Sequence, residues 1–360
     1  MENNNNINGK NYKKKRATLK DVARLANVGT GSVSRYLNGD PCVKAINRQK
    51  ISDAIKQLNF VPNTAAGNLA KGRSRNILLL LVSETPITMA TWIYEKEIVQ
   101  EIHYGLLNSG YNLLLELCPC DQSEIYRMIK INIETQNADA VMILSNYSIG
   151  RDCINLFEEN EVPYLLIGSK NYKEKTNEIL IDNYCAMKIV IEYLVSLKHK
   201  KIALISGNRD QVQMAARIDS YFKLMQDMKL EISPSYIKYG EYSMDSGYNC
   251  TKEMIQQNIN NMPTAIICAN DIMACGAIKA LKEYNFKIPQ EVSITGFDNI
   301  ISGEVIEPPL TTFQLLNGMG TLATNMLLKM LKEQKTVIAC NKQIKFEFII
   351  RKSATLSREA

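Results

Sequence analysis

Apolar residues near the start of the chain recur with helical spacing. Leu19, Val22, Ala23 and Ala26 fall at i, i+3, i+4 and i+7, and Thr18, three residues before Asp21, completes the pattern of an N-terminal capping box. An Asn27-Val28-Gly29 turn then leads to a second helix, with Val33 and Leu37 on one stripe and Thr30, Gly31, Ser32, Ser34 and Arg35 crowded at its opening. Ile51, Ala54, Ile55 and Leu58 give a third helix its inner face. Three helices of this size close a small core. A short second helix that presents hydroxyl residues and an arginine at its start has the layout of one that enters a DNA groove.

Residues 63–71, NTAAGNLAK, follow Pro62 and precede Gly72, so this stretch predicts a linker that can become a helix. From Asn76 the pattern changes. Ile77 to Val82, Leu113 to Leu117, Ala140 to Leu144, Tyr164 to Ile167, Ile202 to Ile205, Ala265 to Cys268 and Val292 to Thr295 read as buried strands. Amphipathic helices fall between them, for example Met187, Val190, Ile191 and Leu194 at i, i+3, i+4 and i+7. Continuous apolar strands separated by helices predict parallel sheets covered on both faces. The 285 residues from 76 to 360 are too many for one sheet. Two doubly wound lobes are expected, with a ligand cleft at the carboxyl ends of their strands.

Charge sharpens the division. Residues 1 to 75 hold fifteen Lys and Arg against four Asp and Glu, a net +11, which leaves −5 for the remainder of a chain whose total is +6. A basic head suits a polyanion that releases counterions on binding, and an acidic remainder excludes a protein that coats nucleic acid along its whole surface. The Lys13-Lys14-Lys15-Arg16 run reads either as an arm that touches phosphates or as a solvated leader.

No run of 18 apolar residues and no signal-like apolar core after the N-terminus is present, which predicts a cytoplasmic protein. Nine cysteines without a CxxC pair argue against zinc and disulfides, and Cys118-Pro119-Cys120 reads as packing thiols before a redox pair. With two histidines, His103 and His199, and no GxSxG, Walker A or GxGxxG, the chain shows no catalytic constellation, so no enzyme and no cofactor are expected.

The segments TLKDVARLANV, SVSRYLNG and LNFVPNTAAGNLAKG closely resemble the DNA-binding head of the lactose-repressor, or LacI/GalR, family of bacterial transcriptional regulators. The resemblance continues through DNYCAMKIVIEYLVSLKHKKIALISG, CANDIMACGAIKAL, SITGFDN, EPPLTT and FIIRKSA, covering residues 17 to 354. It implies an α/β protein: a three-helix helix-turn-helix head and hinge, then a two-lobed domain like the periplasmic sugar-binding proteins, with two doubly wound parallel sheets. The boundaries it suggests are a basic tail 1–16, a head 17–62, a hinge 63–75 and an effector-binding and dimerisation domain 76–360. The first lobe would hold 76–178 and 311–335, the second 179–310 and 336–354.

The resemblance also implies roles. Thr18, Leu19, Thr30, Gly31, Ser32, Ser34, Arg35 and Asn38 would meet operator DNA, joined by Asn63, Ala66, Leu69 and Ala70 of the hinge, where Leu69 matches a side chain that wedges between base pairs in the minor groove. Arg217, Tyr242, Asn270, Asp298 and Gln314 would meet a small-molecule effector, most commonly a sugar or sugar derivative in this family. Residue chemistry leaves other readings open: Asp271 as a helix N-cap, Asn270 and Asp298 as turn formers, Arg217 paired with Asp219 or Asp182. Three departures stand out. Gly168 ends VPYLLIG where sugar-binding members often place Asp, Gly31 replaces a larger base-reading residue, and the segment after EPPLTT is one residue short before Gly320. The implied protein is an effector-controlled repressor that binds a pseudo-palindromic operator as a homodimer or dimer of dimers.

Overall fold

The computed structural model describes residues 17–61, 73–84, 89–169, 176–300, 305–314, 318–337 and 341–360. The chain separates into two compact units, 1–72 and 73–360. The expected basic tail and the hinge positions Asn63, Ala66, Leu69 and Ala70 lie outside the described residues.

In the first unit, α1 (Leu19–Leu25), α2 (Thr30–Leu37) and α3 (Ala45–Gln57) close around Val22, Ala23, Ala26, Val33, Val43, Ile51, Ala54 and Phe60. The Thr18 capping box is formed: Asp21 N donates to Thr18 Oγ1 at 3.3 Å and Thr18 N to Asp21 Oδ2 at 2.9 Å. Asn27 takes φ 52° in the turn between α1 and α2, a left-handed conformation that asparagine tolerates.

The second unit opens with β1 (Asn76–Ser83), α4 (Met89–Leu106), β2 (Asn112–Pro119), α5 (Gln122–Glu134), β3 (Ala140–Ser145), α6 (Arg151–Glu159), β4 (Tyr164–Ile167) and β5 (Glu178–Ile181). Next come α7 (Asn183–Ser196), β6 (Ile202–Ser206), α8 (Val212–Asp227), β7 (Ile237–Tyr239), α9 (Met244–Gln257), β8 (Ala265–Cys268), α10 (Asp271–Glu283) and β9 (Ser293–Thr295). The chain closes with β10 (Thr312–Gln314), α11 (Met319–Glu333), β11 (Asn341–Ile344) and β12 (Glu347–Ile349).

Two parallel sheets result, ordered β11-β5-β4-β3-β1-β2 and β7-β6-β8-β9, with β10 and β12 paired antiparallel beside them. The run Ile77 to Val82 is apolar at every position because both faces of its sheet are covered. Ile77, Leu79 and Leu81 pack with Ile98 and Ile102 of α4 and with Met326 and Leu327 of α11, while Leu78, Leu80 and Val82 pack with Ile125 and Ile129 of α5 and with Phe157 of α6. The second sheet divides likewise. Ile202 and Leu204 join Ile218 and Tyr221 of α8, and Ala203 and Ile205 join Met254 of α9 and Met273 of α10.

The lobe boundaries need correction. β5, expected at the start of the second lobe, pairs with β4 and carries buried Ile179 and Ile181, so the first lobe runs to residue 181. β11, expected in the second lobe, pairs in parallel with β5 at the edge of the first sheet. Its sequence NKQI is too polar to read as a strand, yet an edge position needs little apolar surface. Residues after β12 do lie along the second lobe. Ile294 N donates to Ser353 O at 2.7 Å, Ser353 Oγ to Ile294 O at 2.6 Å and Ser357 N to Leu197 O at 2.8 Å.

Candidate DNA-reading head and effector cleft

On the head, the side of α2 opposite Val33 faces solvent. Thr30, Gly31, Ser34, Arg35 and Asn38 are exposed, as is Thr18, whereas Ser32 and Leu19 are half-buried. Gly29, the N-cap, supplies no side-chain acceptor to the start of α2. Unbonded helix-start N–H groups and the positive end of the helix dipole therefore lie beside the hydroxyls of Thr30 and Ser34, an arrangement suited to phosphate oxygens and base edges. Arg35 Nε reaches back to Gly31 O at 3.4 Å, and Asn38 Nδ2 donates to Ser34 O at 2.8 Å. Not every basic residue serves this face. Arg48 donates to Asp40 O at 2.6 Å and Val43 O at 2.9 Å, tying down the loop before α3.

In the second unit, four of the expected effector residues converge at the carboxyl ends of the second sheet. Arg217 of α8 is 3% exposed. Its Nε donates to Asn183 Oδ1 at 2.9 Å, its Nη1 to Ala269 O at 2.5 Å, and its guanidinium carbon lies 4.3 Å from the centre of the Phe297 ring. Neither suggested acidic partner holds it: Asp219 pairs with Arg209 at 2.9 Å, and Asp182 caps α7 through Cys185 N. Asn270 rather than Asp271 is the N-cap of α10, accepting from Met273 N at 2.8 Å. Asp271 is fully buried and accepts from Ile300 N at 2.9 Å and Thr312 Oγ1 at 2.6 Å; desolvation nevertheless pushes its carboxyl up to about 7.

Asp298 follows β9 with φ 107°, a conformation costly for a side-chain-bearing residue, and its N–H donates to Phe313 O at 2.9 Å. Desolvation drives its carboxyl well above the usual range against the opposing pull of Arg217. Tyr242, at φ 58°, lays its hydroxyl across Gly207, where a Cβ would meet that oxygen at 1.8 Å. Gln314 stands apart from this group in its bonding, accepting from Asn299 Nδ2 at 2.7 Å. Three hydroxyls at this end of the lobe, Ser206 Oγ, Tyr242 OH and Thr295 Oγ1, are buried and make no hydrogen bond. Buried polar atoms are rarely left so, and a ligand is one way to satisfy them.

The start of α8 also joins the lobes. Gln211 Nε2 donates to the Tyr147 hydroxyl at 2.9 Å, Val212 N to Asn146 O at 2.8 Å and Gln213 Nε2 to Gly168 O at 2.7 Å, while Asn183 Nδ2 donates to Gln213 Oε1. Sequence reasoning missed Asn183, Gln211 and Gln213, whose partners lie far away in the chain. Gly168, where an Asp was noted as missing, has φ 73°.

Residues 18–63 match the domain described as bacterial regulatory proteins, lacI family, and residues 191–354 match the periplasmic binding protein-like domain. The HTH-type transcriptional repressor PurR of Histophilus somni (strain 2336) is 31% identical over 347 residues, spanning 94% of this chain and 98% of that protein. The chain belongs to the LacI family. The PurR repressor of Haemophilus influenzae (strain PittEE) is 29% identical over 344 residues, with the same shares covered. Among solved structures, the lac repressor dimer bound to operator and the anti-inducer ONPF superposes with a TM-score of 0.83 at 26% identity, covering 95% of this chain and all of that one. The complex of the transcriptional regulator CelR with cellobiose gives 0.68 at 26% identity, covering 94% and 100%. This LacI-family member is thus a DNA-binding transcriptional repressor rather than an enzyme. Among the described residues no helix is long and apolar enough to cross a membrane.

Proposed function

We propose that this repressor grips its operator through two heads of a homodimer and that a small polar molecule, a sugar or sugar derivative, sets that grip by binding between the lobes. The observation that carries the reading is the convergence of Arg217, Tyr242, Asn270 and Asp298 with three unsatisfied buried hydroxyls at the carboxyl ends of the second sheet. Open parallel sheets place ligands there. Two neighbours at 26% identity carry cellobiose and ONPF by their descriptions, which favours the same use of the cleft here. Thr30, Ser34 and Arg35 would read bases and phosphates, with Leu69 as the minor-groove wedge.

A ligand that prefers one lobe geometry shifts the dimer toward it, and with it the spacing of the heads. Operator affinity of the full chain, measured with and without effector, tests this. Arg217→Ala is expected to abolish the effector response while leaving ligand-free operator affinity within about threefold, less than 1 kcal/mol. An intact response in that variant removes Arg217 from the site.

A further inference from the structure

A line of buried polar side chains runs from the first lobe to the arginine of the cleft. Gln213, Asn183 and Arg217 are 3%, 5% and 3% exposed. Gln213 Nε2 donates to Gly168 O at 2.7 Å, Asn183 Nδ2 to Gln213 Oε1, and Arg217 Nε to Asn183 Oδ1 at 2.9 Å. Arg217 Nη1 then donates to Ala269 O at 2.5 Å, directly before the Asn270 cap of α10. Gln213 and Arg217 share a face of α8 at i, i+4. Asn183 opens α7 two residues after the end of β5, so the middle link stands where the chain passes from the first lobe to the second.

The chemistry of the two ends fixes everything between them. Gly168 O only accepts and the Arg217 Nε–H only donates, which leaves one orientation for each intervening amide. Gly168 takes φ 73°, and its own N–H is engaged by Ile179 O at 2.9 Å. Asn183 Nδ2 also reaches Ile181 O at 3.3 Å. If the lobes part at Gly168, the Gln213 donor loses that partner, and neither amide can turn over without setting like atoms against its neighbour.

We propose that Asn183 and Gln213 are positioning residues of the effector site: they hold the Arg217 guanidinium over Phe297 while the lobes keep the spacing seen here, so an effector gripped by Arg217 favours that spacing. The inference rests on Arg217 meeting the effector in the cleft. A ligand bound to the second lobe then biases the first through bonds already made, and the two lobes answer each other in both directions.

Amide hydrogen exchange of the full chain reads lobe separation without any effector. Val212 opens α8, where its own helix offers its N–H no partner, and that N–H donates to Asn146 O of the first lobe at 2.8 Å. Gln213→Met, similar in length but without the polar ends, is expected to quicken exchange at Val212 about tenfold. Arg217→Met, which acts through Asn183, is expected to quicken it about threefold, and the double variant no more than Gln213→Met alone. Asn183→Leu severs the middle link and replaces Gln213→Met in the cycle should that variant fold poorly. Effects that multiply in the double variant, or a Val212 amide as protected in Arg217→Met as in the wild type, overturn the inference. Thermal shifts with cellobiose and with glucose on the same variants separate it from the reading it rests on. Affinity reduced about tenfold in Gln213→Met is expected for a compound that Arg217 grips. Binding lost in Arg217→Met yet undiminished in Gln213→Met overturns the positioning role, and binding intact in Arg217→Met overturns the cleft as the site.

Discussion

Two buried carboxyls make stability depend on pH near neutrality. Burial pushes the Glu95 carboxyl from 4.5 up to about 7 and the Asp271 carboxyl from 3.8 up to about 7. A folded-state value above the unfolded one means that stability is fully present below pH 4.5 for Glu95 and is lost as pH rises through about 7. Wild type is therefore expected to lose stability relative to Glu95→Gln across that window, by a difference on the order of 3 kcal/mol that levels off above about pH 8. Urea denaturation at a series of pH values measures it, and a difference independent of pH would place Glu95 in contact with water. Glu95 was legible: it stands three residues before Ile98 on the stripe that continues through Ile102 and Leu106, an apolar phase that a surface glutamate avoids. Asn270 and Asp298 could be placed because each directly follows a strand, whereas Arg217 and Tyr242 were implied by the family resemblance alone. Asn183, Gln211 and Gln213 could not, because what defines them is a set of bonds to residues remote in sequence.

Among the helices, two glycine environments make opposite demands. Gly276 of α10 and Gly247 of α9 lie where the two helices touch: a Cβ at Gly276 would sit 2.0 Å from Met244 O, and one at Gly247 would sit 2.2 Å from Met273 O. Backbone cannot yield as a side chain does, so Gly276→Ala is expected to cost about 1–3 kcal/mol or more through overpacking. Gly31 of α2 has nothing within 4 Å of a Cβ. There Ala should stabilise the head by roughly 0.5–1 kcal/mol by lowering the entropy lost on folding. Calorimetry of the two full-length variants checks both signs. The long apolar strands and the three head helices were visible in the periodicity. β5, β7, β10, β11 and β12 were not: IKY and NKQI lack the unbroken apolar run by which the equally short YLLI and AIIC could be read.

For the whole molecule, charge and function divide along the same line. A head region of +11 on a body of −5 predicts operator affinity that falls steeply with salt, with a slope for roughly 6 to 10 phosphate contacts per complex. A mobility-shift series from 50 to 200 mM salt tests this, and a flat response would mean that the basic residues do not carry the binding. That division was readable from composition alone; the path by which the chain returns between lobes was not. The last ten residues close the exposed side of β9, and His199, between Thr264 Oγ1 and Thr355 O at 2.9 Å each and with its imidazole drawn below the usual range by burial, fastens them. β11 likewise closes the first sheet against β5. During synthesis, then, neither lobe can finish until the ribosome has delivered almost the entire chain, while the head, built from contacts within residues 17–61, is complete in the first sixth of translation. A chain released early would carry a finished DNA reader on two open sheets, prone to pairing with other unfinished chains and unable to answer an effector.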